Sequence, residues 1–186
     1  MLDPAAVSLT VVYALSAMVA AAAVGTVVGY LGRLSPDGGI TSLLVVGALG
    51  VLGMREAGWV RFTVPGLNVV VPASAVSGDP RSNAVIWGLV LGVGFLTHVR
   101  FSVFWGMHLL MFATRSPAQA AVVGGIYGLA RAFPAVVLLW RPVLRTKWLE
   151  PTPRLLLAQS TRLTRLGAFA LMIAAVAKCL RLMAAQ

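Results

Sequence analysis

The chain has 186 residues, of which 59% are hydrophobic and only 11% charged, and its mean hydropathy is +0.91. Soluble domains carry about 25% charged residues, so this composition excludes an ordinary water-soluble protein. The net charge is +10, but no nucleic-acid motif is present, and the basic residues gather at the ends of apolar segments, which is typical of contact with an anionic lipid leaflet.

Five apolar segments predict helices that cross a membrane, because each approaches the roughly 20 residues needed to cross a core of about 30 Å. They comprise residues 9–30, 40–54, 84–113, 118–140 and 166–182. None alternates apolar and polar residues as barrel strands do, and backbone groups in lipid must pair within the chain. The predicted fold is an all-α, polytopic transmembrane helix bundle that forms a single domain over residues 1–186.

Two longer loops set the expected orientation. Residues 58–83 contain three prolines around an apolar stretch too short to cross, so this loop either lies at the membrane interface or is re-entrant. Residues 141–165 are strongly basic, and 154–165 predict an amphipathic interfacial helix. Because Lys and Arg stay on the cytoplasmic side, we expect a multi-pass protein of a bacterial cytoplasmic (inner) membrane with a cytoplasmic N-terminus.

Glycines recur one helical turn apart in three of these segments, and this spacing lets helix backbones approach closely. The pairs are Gly25 and Gly29, Gly88 and Gly92, and Gly124 and Gly128. We interpret them as helix-packing positions within the chain. The alternative is a face for a partner subunit.

Three basic residues lie where lipid is expected, namely His98, Arg100 and Arg131. A charge at the bilayer centre costs at least about 2.5 kcal/mol. The five acidic residues all fall outside or at the edges of the predicted segments: Asp3, Asp37, Glu56, Asp79 and Glu150. We therefore expect the deep arginines to be balanced by a water-filled cavity, by backbone carbonyls at a broken helix, by a bound anion or lipid headgroup, or by a carboxylate of another protein.

The third segment predicts a broken helix. A straight helix over residues 84–113 would be about 45 Å long, and the polar run 97–100 falls near its middle. Discontinuous helices at mid-membrane form the substrate sites of many transporters; the alternative is a long tilted helix. Pro134 removes a backbone hydrogen bond near Arg131. His98, Arg100, Arg131 and Pro134 are thus the candidate intramembrane site. We expect Arg131→Leu to impair function or assembly more than Arg115→Leu, because Arg115 is predicted to lie in a loop near water.

Catalytic and metal-binding patterns are missing from the sequence. His98 and His108 are ten residues apart, about 15 Å along a helix, which is too far for one metal ion. There is no Ser/His/Asp set, no carboxylate pair and no phosphate-binding loop. We predict no enzymatic activity, no metal and no cofactor.

The C-terminal half resembles the transmembrane domain of the CcdA/DsbD family, the thiol-disulfide carriers of cytochrome c biogenesis. The resemblance lies in a glycine-rich entry at 88–95, a polar break at 97–100, a glycine-and-proline helix at 127–134 and a basic stretch at 154–165. It implies two inverted three-helix repeats, here with one helix missing. The family's redox cysteines are absent, because Cys179 is the only cysteine and thiol-disulfide exchange needs two sulfurs.

Two functional hypotheses remain. In the first, the chain has a CcdA-like carrier fold without a redox cysteine pair and acts in transport of a small anionic or polar solute, or as an accessory to a membrane system. In the second, it is a non-catalytic scaffold subunit of a larger membrane complex. The expected partners are the lipid bilayer, a membrane protein partner or a second copy of the chain, and a small anionic ligand or lipid headgroup; nucleic acid is not expected.

Overall fold

The computed structural model describes residues 4–36, 39–64, 78–95, 102–140, 166–177 and 180. All regular structure in these ranges is helical, which confirms the all-α prediction for this part of the chain. The helices are α1 (Pro4–Leu34), α2 (Gly39–Glu56), α3 (Pro80–Val93), α4 (Ser102–Thr114), α5 (Pro117–Trp140) and α6 (Leu166–Ala177). The predicted interfacial helix at 154–165 and Cys179 lie outside the described residues.

Helix α1 is the axis of the bundle. It has 31 residues, about 46 Å at 1.5 Å per residue, and begins at Pro4, a residue suited to the first helical turn. By length and composition, α1 is the one helix within the described ranges that could cross a membrane, whereas α4 and α6 are apolar but shorter. Helices α3, α4 and α5 all pack against it.

Helix α5 runs antiparallel to α1 at very short range. A methyl group added at Gly29 would lie 2.6 Å from the Ala120 side chain, well inside van der Waals contact. The contacts of this interface pair Gly25 and Gly29 with Ala120, Gly124 with Ala21, and Gly128 with Ala17. Only glycine leaves room for the facing backbone at these positions, so the two helices are held by backbone proximity.

Helices α3 and α4 follow each other along α1 in the same direction. Gly88 and Gly92 of α3 contact the backbone at Tyr13 and Ala17 in the first half of α1, whereas Phe112 of α4 contacts Gly32 near its end. Helix α3 ends at Val93, and Gly94 adopts φ +80°. The predicted 84–113 segment is therefore two helices, of 14 and 13 residues, which divide beside the middle of α1.

Helices α2 and α6 pack against α4 through a cluster of larger side chains. Its buried members are Val45, Leu49, Leu52, Leu171 and Ala175. Helix α2 runs antiparallel to α4, so its last residue, Glu56, reaches the start of α4. In α2, Gly53 faces α6, whereas a methyl group added at Gly47 or Gly50 would meet no atom of another described element within 4 Å.

The distribution of side-chain size is inverted relative to a water-soluble bundle. The buried residues of α1 are mostly small, with Ala17, Ala20 and Ala21 at its centre. Large apolar side chains point outward, for example Val19 and Val27, each 58% exposed. Close contact between small residues with large apolar residues outside is the packing typical of helices in lipid.

Candidate polar site at the break between α3 and α4

The N-terminal part of α4 lies close to two other helix ends: Glu56 at the end of α2 contacts Ser102, and Gly94 after α3 lies against the Phe104 ring. Helix ends carry backbone groups without partners inside the helix, so polar side chains are needed here. We call this region the break layer and define it by the residues Arg55, Glu56, Gly94, Ser102, Tyr127 and Arg131.

Arg131 connects α5 to the end of α3. Its Nη1 donates to the hydroxyl of Tyr127 at 2.7 Å and, over a longer 3.4 Å, to the carbonyl oxygen of Gly94. Tyr127 lies one turn before Arg131, where a long helical side chain naturally extends. The C-terminal end of α3 carries a partial negative charge, so a guanidinium is well placed there. The contact to Gly94 supports one of the four expected ways to balance Arg131, namely backbone carbonyls at a broken helix.

Arg55 and Glu56 form an ion pair at the end of α2, with Nη1 and Oε1 3.1 Å apart. The same Nη1 donates to the Ser102 hydroxyl at 2.9 Å, and Arg55 Nε donates to the Phe62 carbonyl at 2.8 Å. The Glu56 carboxylate accepts the backbone N–H of Ser102, and its side chain is 2% exposed. Glu56 is the last residue of α2, at the edge of a segment as expected, but its carboxylate is buried, and it neutralises the positive N-terminal end of α4.

An aromatic cluster lies between these two polar groups. The Phe104 ring is 5.9 Å from that of Tyr127 and 4.3 Å from that of His108. His108 Nδ1 lies 2.8 Å from the Phe104 carbonyl oxygen within α4, a contact that leaves Nε2 as the other polar atom of the ring. In the described part of the chain, no three His, Cys, Asp or Glu residues come together as a metal site would require.

The four predicted site residues are distributed unevenly. Arg131 lies in the break layer, and Pro134 is three residues further along α5, which stays helical to Trp140. His98 and Arg100 lie outside the described residues, in the connection between α3 and α4.

Sequence reasoning missed the other residues of the break layer. The adjacent opposite charges of Arg55 and Glu56 directly after an apolar run were a usable signal, because such a pair can be buried together. Tyr127 stands four residues before Arg131, a spacing that brings helical side chains into contact. Gly94 and Ser102 carry no comparable local signal.

Comparison of the chain with protein-family models, with curated proteins and with solved structures found no match. The resemblance to the CcdA/DsbD family therefore stays a hypothesis, and the functional argument rests on the geometry of the break layer.

Proposed function

We propose that this chain is a multi-pass integral membrane protein of a bacterial cytoplasmic membrane and that it acts in transport, as a CcdA-like carrier without redox cysteines. The break layer is its site for a small polar or anionic solute. The observation that carries this proposal is the division of one predicted span into α3 and α4 beside the middle of the long apolar helix α1, with Arg131 at the division.

The outer surface supports several membrane crossings. Large apolar side chains are exposed on helices other than α1, including Leu44 of α2 at 68%, Val122 of α5 at 63% and Ile173 of α6 at 66%. Water-soluble monomers rarely expose apolar patches larger than a few hundred Å². Lipid covers such a surface without cost, so the exposed faces of all these helices fit a bundle embedded in a bilayer.

The break layer supports a transport role. Transporters commonly bind solutes where discontinuous helices end near the bilayer midplane, because helix termini there offer unpaired backbone groups. Here two such ends are stabilised by side chains from neighbouring helices, Arg131 at α3 and Glu56 at α4. A polar or anionic solute would compete for the guanidinium of Arg131 and the backbone around Gly94.

A second candidate is a non-catalytic scaffold subunit of a larger membrane complex. It is favoured by two exposed aromatic residues that follow α2, Trp59 at 74% and Phe62 at 38% exposure, and the Phe62 ring lies beside the Arg55 guanidinium. Aromatic side chains next to arginine are common at the centre of protein interfaces.

Native mass spectrometry of the protein extracted gently from its own membrane separates the two candidates. A carrier should be detected alone or as a homo-oligomer, and a small bound mass would identify its solute. A second protein at fixed stoichiometry would instead support the scaffold role and contradict the carrier.

Cysteine labelling tests the multi-pass arrangement itself. The test uses a Cys179→Ser background and three single cysteine substitutions. Ser35→Cys and Ser116→Cys are placed at the C-terminal end of α1, whereas Gly78→Cys is placed before α3, towards the N-terminal end of α1. An impermeant thiol reagent should label the first two from one side of sealed vesicles and the third from the other. Labelling of all three from the same side would rule out the proposed crossings.

A further inference from the structure

A small polar cavity lies at the C-terminal end of α1, between the α1–α2 connection and the α4–α5 turn. Its volume is about 30 Å³. A single water needs roughly 10–15 Å³ by the same measure, so the cavity has room for about two oxygen-sized groups. Its lining includes four polar residues, here called the polar wall (Ser35, Thr41, Ser42 and Arg115), and the apolar residues Val45, Phe112 and Ala113.

Arg115 supplies the positive charge of this cavity. It lies in the turn after α4 with φ 53° and is half-buried. Its Nη2 donates to the carbonyl oxygen of Ser35 at 2.6 Å and lies 3.4 Å from that of Arg33. These contacts hold the guanidinium at the end of α1, so its charge is fixed on the cavity wall before any ligand arrives. A guanidinium has five N–H donors in a planar fork that matches the oxygens of phosphate.

The hydroxyl groups on the polar wall differ in their availability. Ser35 donates to the Gly32 carbonyl at 2.6 Å, and Thr41 to that of Pro36 at 3.3 Å. The Ser42 hydroxyl makes no hydrogen bond to any residue that the structure describes and is half-buried on the same wall. Ser42 is therefore the neutral donor best placed to assist Arg115.

We propose that this cavity receives two oxygens of one phosphate group, with Arg115 and Ser42 as their donors. The group is the phosphodiester of an anionic lipid headgroup or a free phosphate. The end of an apolar helix long enough to cross a membrane is where headgroups lie, and the chain's net charge of +10 favours an anion. This site lies at the end of the bundle and does not depend on the transport role of the break layer.

The test measures binding of phosphatidylglycerol, and of diacylglycerol, which has no phosphate, to the delipidated protein by native mass spectrometry, with four variants. Charged hydrogen bonds contribute about 1.5–3 kcal/mol, so Arg115→Met should raise the dissociation constant for phosphatidylglycerol about tenfold or more. Ser42→Ala, which leaves the Arg115 contacts to α1 intact, should raise it about threefold. The matched control is Arg33→Met, which removes an exposed charge at the same end of α1 and should change it less than about twofold.

Equal binding of phosphatidylglycerol and diacylglycerol by the wild type would overturn the site, because the phosphate would then contribute nothing. An equal loss in Arg33→Met and Arg115→Met would also overturn it, because binding would then follow overall charge. Asp37→Asn, which removes the acidic residue of the α1–α2 connection, should bind at least as tightly as the wild type; weaker binding would contradict the proposal. Millimolar inorganic phosphate distinguishes the sources: competition with phosphatidylglycerol indicates a free-phosphate site, and binding unaffected by phosphate indicates a headgroup site.

Discussion

The carboxylate of Glu56 accepts the backbone N–H of Ser102, 46 residues later in the chain. This hydrogen bond joins the end of α2 to the beginning of α4 at the level where α3 has ended. Ser102 is fully buried, and α4 has no acidic residue in its own first turn. The negative group that stabilises this helix N-terminus is therefore supplied by another helix.

Glu56→Leu should destabilise the fold strongly. The substitution leaves the buried Ser102 N–H without its acceptor, which costs about 1–3 kcal/mol, and it removes the carboxylate beside Arg55, whose side chain is 19% exposed. Thermal unfolding in detergent measures the loss. Glu56→Gln, which has the same shape and retains an acceptor oxygen, should lose clearly less. A Leu variant as stable as the wild type would show that this contact does not hold α2 to α4.

Arg131→Leu should lower both stability and function, because it removes donors to Tyr127 and Gly94. Hydrogen bonds to charged groups contribute about 1.5–3 kcal/mol each, and the longer contact to Gly94 lies at the weak end. Arg115→Leu is an unsuitable control, since Arg115 donates to Ser35. Arg33→Leu, exposed at the end of α1, is the better match. Unfolding temperature and oligomeric state should change in the Arg131 variant alone, and equal small effects would exclude a special role for Arg131.

Two adjacent glycines of α5 test the close packing against α1. An added methyl group at Gly124 would collide with the backbone of Ala21, whereas at Gly125 its nearest neighbour is a Met18 side-chain atom at 3.5 Å. Gly124→Ala should therefore destabilise the protein by about 1–3 kcal/mol. Gly125→Ala should be neutral or stabilise it by up to about 1 kcal/mol, the helix-propensity difference. Denaturant unfolding should show a clear loss of stability in Gly124→Ala and none in Gly125→Ala, and a loss of the same size in both would contradict the packing.

Asp79 predicts a pH effect at the start of α3. The Ser82 hydroxyl, followed by the backbone N–H groups of Ser82 and Arg81, holds the pKa of the Asp79 carboxyl below its usual range. Because the pKa is lowered in the folded state, the stabilisation is present above the unfolded-state pKa and is lost as the pH falls through the folded-state value. Acid should therefore fray α3 from this end.

Hydrogen exchange of the first turn of α3 measures this fraying. The amides of Arg81 and Ser82 should lose protection below about pH 4, the ordinary range of an aspartate. Asp79→Asn can still cap the helix but cannot titrate, so its protection should not change with pH in this range. The same acid response in both proteins would assign the effect to another group.

Part of the fold follows from local sequence. The helices predicted over 9–30 and 118–140 overlap α1 and α5, because apolar runs of this length form helices wherever backbone groups must pair within the segment. The polar run 97–100 lies between the end of α3 and the start of α4. A continuous apolar helix is disfavoured here by the polar residues of this run and by Gly94 just before it. The positive φ of Gly94 is one that only glycine adopts without strain.

The sequence by itself determined helical class and apolarity, because both depend on residues within a turn or two of each other. The tertiary structure alone decided which helix ends meet. Arg131 and Gly94 are 37 residues apart, and Arg115 and Ser35 are 80 apart. No periodicity in a single sequence reports such pairs, because they depend on how closely α1, α3 and α5 approach. The glycines at these interfaces allow the close approach because they have no Cβ atom, and this has an effect only where a second helix packs against them.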